Sequence, residues 1–155
     1  MYNIGIIGAG KVGVSLGRYL SGLEYTNLVG YYSRSLDSSA YAAKVTNSGK
    51  FTSIEKLVEK SNVILITTPD DQISEIWSTI SKFSIQNKIV CHCSGSLSSE
   101  IFFDISSKGA SGCSMHPILA ISSKENSYKD LSSAFFTLEG QNKAIEFFSR
   151  VLDSK

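Results

Sequence analysis

The chain has 155 residues, of which 42% are hydrophobic and 19% charged, and its net charge is +1. This length suits one domain around a single core, and the near-neutral, moderately apolar composition argues against disorder and against general nucleic-acid affinity. The longest aliphatic stretches are strand-sized, and no basic segment followed by a long apolar run opens the chain. Neither a membrane span nor a signal peptide is therefore expected.

Tyr2 to Ile7 reads as a first strand and runs directly into Gly8-Ala9-Gly10-Lys11-Val12-Gly13. This is the G-x-G-x-x-G spacing of the strand-to-helix turn in a dinucleotide-binding βαβ unit. Gly8 allows the tight turn, Gly10 lets the backbone approach a pyrophosphate, and Gly13 lets the helix sit close on the strand. The helix N-terminus then offers unpaired N–H groups and a positive dipole end to phosphates. Val12, Leu16, Leu20 and Leu23 predict a helix over 11–23.

A second strand is expected over 27–32, a helix over 36–45 and a short third strand at Phe51-Thr52, with Ser53 capping the next helix. Residues 62–68 contain the continuous apolar run of a parallel strand buried on both faces, and Pro69 ends it. Asp70 or Asp71 is placed to cap a helix whose Ile73, Ile76, Trp77, Ile80 and Phe83 form one apolar stripe. Then follow a strand over 88–93, a short helix over 98–105, strands over 112–115 and 134–138, and a final helix over 141–153. This alternation predicts an α/β fold, a Rossmann-type doubly wound and mainly parallel sheet, with ligands outside the carboxyl ends of its strands.

About twenty residues beyond the glycines, where an NAD site would place a carboxylate on the ribose, the chain has Ser33-Arg34-Ser35. A guanidinium and two hydroxyls favour a 2′-phosphate, so NADP is the expected cofactor. Cys91, Cys93 and Cys113 are an odd number of cysteines without a secretory signal, which indicates reduced thiols and a cytoplasmic protein. The Cys91-His92-Cys93 spacing is too tight for the usual structural zinc pair, so no metal is expected.

Together, GAGKVG, YYSRS, ITTPDDQI, VCHCSGS and SMHPILAIS resemble a family of NADP oxidoreductases that pair a Rossmann-like N-terminal domain with a helical C-terminal domain of unassigned function. Wider relatives include pyrroline-5-carboxylate reductases and prephenate dehydrogenases. The resemblance implies that 1–155 is the NADP-binding domain. It also implies that a helical domain absent from this chain closes the substrate site and makes a homodimer. The implied reaction is hydride transfer between NADP(H) and a small carbonyl, imine or hydroxy-acid substrate. A module that binds or senses a dinucleotide without turnover is the alternative.

Within that reading, the strand ends at Thr67-Thr68-Pro69 and Cys91 to Gly95 lie beside the nicotinamide. By correspondence with the relatives, His116 is the candidate acid/base and Ser94 its partner at the substrate. Against this stand plainer roles: His116 bracing the loop before Pro117, and Ser94 capping the helix near Ser98. His92 is expected to be structural or cofactor-adjacent, Asp70 and Asp71 to cap a helix, and 122–129 to form a mobile polar loop near the substrate.

Overall fold

The computed structural model describes residues 1–153. Among them, β1 (Tyr2–Ile7), β2 (Thr26–Tyr32), β3 (Gly49–Lys50), β4 (Val63–Ile66), β5 (Ile89–His92), β6 (Ser111–Pro117) and β7 (Phe136–Gly140) form one sheet, in the order β3-β2-β1-β4-β5-β6-β7. All neighbours pair in parallel except β6 and β7, which are antiparallel. Strand order reverses between β1 and β4, the position at which a doubly wound sheet opens a crevice at its carboxyl edge. The helices are α1 (Lys11–Leu20), α2 (Leu36–Thr46), α3 (Ile54–Lys60), α4 (Asp70–Ile80) and α5 (Asn142–Asp153).

Strand alternation divides the apolar residues into two cores. Ile4, Ile6, Val63, Leu65 and Met115 face a layer holding α1 and α5, while Ile7, Ile64, Ile66 and Val90 face α3 and α4. The four residues of β4 are all buried, as an apolar run covered on both faces requires. Each such side chain contributes about 1.5–3 kcal/mol of transfer free energy.

Several boundaries differ from the sequence reading. The third strand is Gly49–Lys50, because the Phe51 ring turns into the α3/α4 layer and pairing ends where the Phe51 N–H donates to Tyr31 O at 2.8 Å. Helix α1 stops at Leu20, and Leu23 instead closes a turn by donating to Leu20 O at 3.1 Å. Neither Asp70 nor Asp71 caps α4; Pro69 occupies that position, and both acids lie in the first turn, where they complement the helix dipole. The segment expected as one helix over 98–105 is two 3-10 turns, Ser99–Ile101 and Ile105–Lys108. Residues 122–129 are not a free loop. Ser15 Oγ donates to Ser123 O (3.2 Å), Arg18 Nη1 to Glu125 O (2.7 Å) and Tyr41 to the Glu125 carboxylate (2.9 Å), which straps the segment to α1 and α2.

Candidate cofactor cleft and strand-end site

Gly8 sits at φ +113°, and a Cβ there would stand 2.6 Å from Thr67 Oγ1. At Gly13 a Cβ would strike Gly8 O and lie 2.6 Å from the same hydroxyl. These two glycines are thus demanded by packing of the turn against β4. Gly10 is different: a Cβ there would meet nothing within 4 Å. Its open face leaves room for a group to approach the backbone closely. Thr67 secures the arrangement by donating from Oγ1 towards Gly8 O (3.1 Å) and Ile7 O (3.3 Å).

Gly10 is the N-cap of α1 and supplies no capping side chain. The first N–H bonded within the helix is that of Val14, to Gly10 O at 3.0 Å. The N–H groups of Lys11, Val12 and Gly13 therefore stand at the helix mouth without intrahelical partners, with no acid in the first turn to satisfy the dipole. Lys11, Val12 and Gly13 do not line the adjoining cleft.

That cleft has a volume of about 550 Å³ and is lined by Gly8, Ala9 and Gly10, by Ser33, Arg34 and Ser35, and by Thr67, Thr68 and Pro69. Nine of the sequence-predicted residues thus come together in one hollow, within the size range of ligand pockets. Arg34 is exposed, and among the described residues no ion pair engages it. Ser35 caps α2 by accepting from Ser38 N (3.2 Å), and Ser33 accepts from Ser35 N (3.3 Å), so each hydroxyl keeps its hydrogen for another acceptor. Thr68 Oγ1 is buried without a partner. Ile7, Tyr32, Ile54, Gln72, Glu75, Ile76 and Thr79 complete the wall and were missed from the sequence. The spacing 72, 75, 76, 79 is one helical face, and the strand-end rule pointed to it.

Ser94 and His116 lie outside this cleft, towards β5 and β6. Ser94 Oγ accepts from Ser96 N and Leu97 N, both at 3.1 Å, and lies 3.3 Å from Ser96 Oγ, which donates to Asp70 at 2.7 Å. The Ser94 hydroxyl is thereby engaged in shaping its own turn. His116 Nδ1 is 3.3 Å from Cys93 O. A carbonyl only accepts, so Nδ1 carries hydrogen and Nε2 is left for proton exchange. The imidazole covers Gly95, where a Cβ would lie 2.9 Å from Nε2.

His92 is fully buried: Nε2 meets Ser98 O at 3.0 Å, and Nδ1 accepts from Ser94 N at 3.2 Å. Both nitrogens are used, which makes this ring a brace for the β5 turn. Burial, followed by the neighbouring thiols, pushes the Cys91 and Cys93 thiols well above their ordinary range, so they stay protonated.

The Rossmann-like domain family matches residues 1–117, the stretch from β1 to the end of β6 that carries the glycine turn and the cleft. The chain belongs to this family. No curated protein matches the chain. Among solved structures, this Rossmann-like chain resembles a protein of Bacteroides fragilis assigned as an NADP oxidoreductase, with 18% identity and a TM-score of 0.83, over 99% of this chain and 57% of that one. Prephenate dehydrogenase from Aquifex aeolicus gives 21% identity and a TM-score of 0.81, over 99% and 59%. Pyrroline carboxylate reductase from Plasmodium falciparum, a structure with NADP bound, gives 13% and 0.73, over 99% and 55%. The chain spans a little over half the length of these structures, and at such identities the likeness is one of fold.

Proposed function

We propose that this chain is the dinucleotide-binding domain of an NADP-dependent oxidoreductase that moves hydride between NADP(H) and a small carbonyl, imine or hydroxy-acid substrate. The observation that carries this reading is the open face of Gly10 beside three unpartnered helix N–H groups, at the mouth of a cleft that Arg34 enters from β2. A pyrophosphate fits the first part of that arrangement, and a 2′-phosphate fits the second. The names of the neighbouring structures, which include an NADP-bound reductase, support the same cofactor class.

The bound cofactor would supply the hydride. The chain's own part is to hold the phosphates at the glycine turn and to present a proton donor further along the same edge. What supports His116 for the second role is that β6 lies three strand spacings from β1, roughly 14 Å, about the reach of the nicotinamide half from the pyrophosphate. Its Nε2 would give or take the proton at the substrate oxygen or nitrogen, with Nδ1 fixed on Cys93 O. Ser94 would serve by shaping the turn under it. Engagement of Ser94 in that turn is also what favours the second reading, a domain that holds a dinucleotide without turning it over.

Calorimetric titration of NADPH and NADH decides the cofactor. NADPH is expected to bind more tightly, and Arg34→Ala to weaken it roughly tenfold to a hundredfold while leaving NADH nearly unchanged. Equal affinities in the unaltered chain overturn the NADP assignment, and oxidation of NADPH by the whole enzyme with a suitable substrate separates the enzyme from the binding module.

A further inference from the structure

A second hollow opens at the opposite edge of the sheet, where the strands begin. It has a volume of about 290 Å³ and lies between α5 and the amino edge, marked by Tyr2 opening β1, Asn62 just before β4 and Ile89 opening β5. The Tyr2 and Phe147 rings on its wall meet edge-on at 4.6 Å. Lys143, Glu146 and Arg150 reach it from one face of α5, at spacings of three and four, and are exposed. Such spacings favour ion pairs along a helix, yet among the described residues none joins Glu146 to either cation. The Arg150 guanidinium instead lies 5.0 Å from the centre of the Tyr25 ring. Tyr25 holds that place at φ 71°, a left-handed backbone that a bulky residue rarely adopts, and Asn87 on the same wall stands at φ 64°. The remaining non-glycine residue of positive φ among those described, Asn47, ends α2. Backbone of this kind persists only where its surroundings hold it, and it gathers at ligand sites. Asn62 Oδ1 accepts from Asn3 N at 3.0 Å, which leaves its amide hydrogens to donate into the hollow.

We propose that this hollow binds a free α-amino acid with a branched apolar side chain. Arg150, steadied by the Tyr25 ring, takes the carboxylate, Glu146 takes the ammonium, and Tyr2, Phe147 and Ile89 cover the side chain. Opposite charges one helical turn apart suit a ligand whose own two charges sit on one carbon. A simple carboxylate would leave Glu146 facing it without a partner, so the site selects against it. Lys143 adds a second cation, which leaves the hollow net positive and draws the carboxylate in. The cofactor cleft lies at the other ends of the strands, so this inference stands apart from the dinucleotide reading.

The test is titration of the isotope-labelled chain with L-leucine, followed by NMR. Saturable shifts are expected at Tyr2, Tyr25, Asn62 and Phe147, with a Kd of about 1 mM or tighter. Isocaproate, the same skeleton without the ammonium, and glycine, which lacks the apolar body, should each bind at least about tenfold more weakly. Glu146→Gln should weaken L-leucine about tenfold and leave isocaproate no weaker than before. Glu146 is exposed, so the variant should melt as the unaltered chain does. Arg34→Ala should leave L-leucine binding unchanged. Absence of saturable shifts, shifts centred away from the hollow, equal binding of isocaproate, or full L-leucine affinity in Glu146→Gln each overturns the proposal. None of these outcomes alters the expected NADPH titration.

Discussion

The two halves of the carboxyl edge treat their polar groups differently. Around β1, β2 and β4, the helix N–H groups of 11–13, the Arg34 guanidinium and the Thr68 hydroxyl have no partner among the described residues. Around β5 and β6, His92 uses both ring nitrogens, Ser94 accepts two N–H groups, Ser96 donates to Asp70, and Glu139 accepts from Ser99 and Ser114. The first half is arranged for something from outside. The second has folded most of its polar groups into its own turns, and the Nε2 of His116 is the ring atom it leaves over.

The largest expected effect tests that leftover atom. His116→Asn keeps a donor for Cys93 O while removing Nε2, so turnover by the whole enzyme should fall about a hundredfold to ten-thousandfold with NADPH affinity unchanged. A loss of affinity alone, with turnover intact at saturating NADPH, would remove His116 from the chemistry.

Next comes a contrast within the glycine turn. Gly13→Ala forces a methyl against Gly8 O and Thr67, and should cost about 1–3 kcal/mol in a denaturant titration together with nucleotide binding. Gly10→Ala meets no atom, so its melting curve should stay close to that of the unaltered chain while NADPH binding weakens at least tenfold. Unchanged binding in Gly10→Ala would show that nothing approaches that face.

Smaller again is Ser94→Ala, which orphans the N–H groups of Ser96 and Leu97 and should lower stability by about 1–2 kcal/mol without touching NADPH affinity. Smallest is the acid limb at Glu139. Burial works to raise its pKa, but the hydrogen bonds from Ser99 and Ser114 outweigh it, and the net direction is down. Its contribution is thus complete above the ordinary carboxylate range and is lost as pH falls through the lowered value. Glu139→Gln should flatten that part of the stability profile by lowering stability slightly at neutral pH, the two curves converging in acid; an acid limb of unchanged steepness would contradict the assignment.

The sequence was most readable where one physical demand acts alone. The glycine spacing, the apolar run 63–66 and the helical stripe of α4 each have a single cause. The strap at 122–129 was illegible because its polarity looks like solvent exposure, whereas its groups reach α1 and α2 far away in sequence. Ser94 was ambiguous in a related way, since a polar residue at a strand end looks alike whether it faces a ligand or its own turn, whereas the structural role expected of His92 agrees with its two hydrogen bonds. Glu75 was hidden because a helix repeat shows which residues share a face without showing what that face looks onto.

The strap also bears on the order in which the molecule assembles. Ser15 and Arg18 hold residues 108 and 107 positions further along the chain, contacts that close a very long loop. Such closure is entropically slow and is rewarded only once α1 has docked on its strand. The antiparallel β6–β7 pair should therefore acquire hydrogen-exchange protection after the β1-α1-β2 unit, so that during refolding the phosphate turn is in place before the edge carrying His116 is secured.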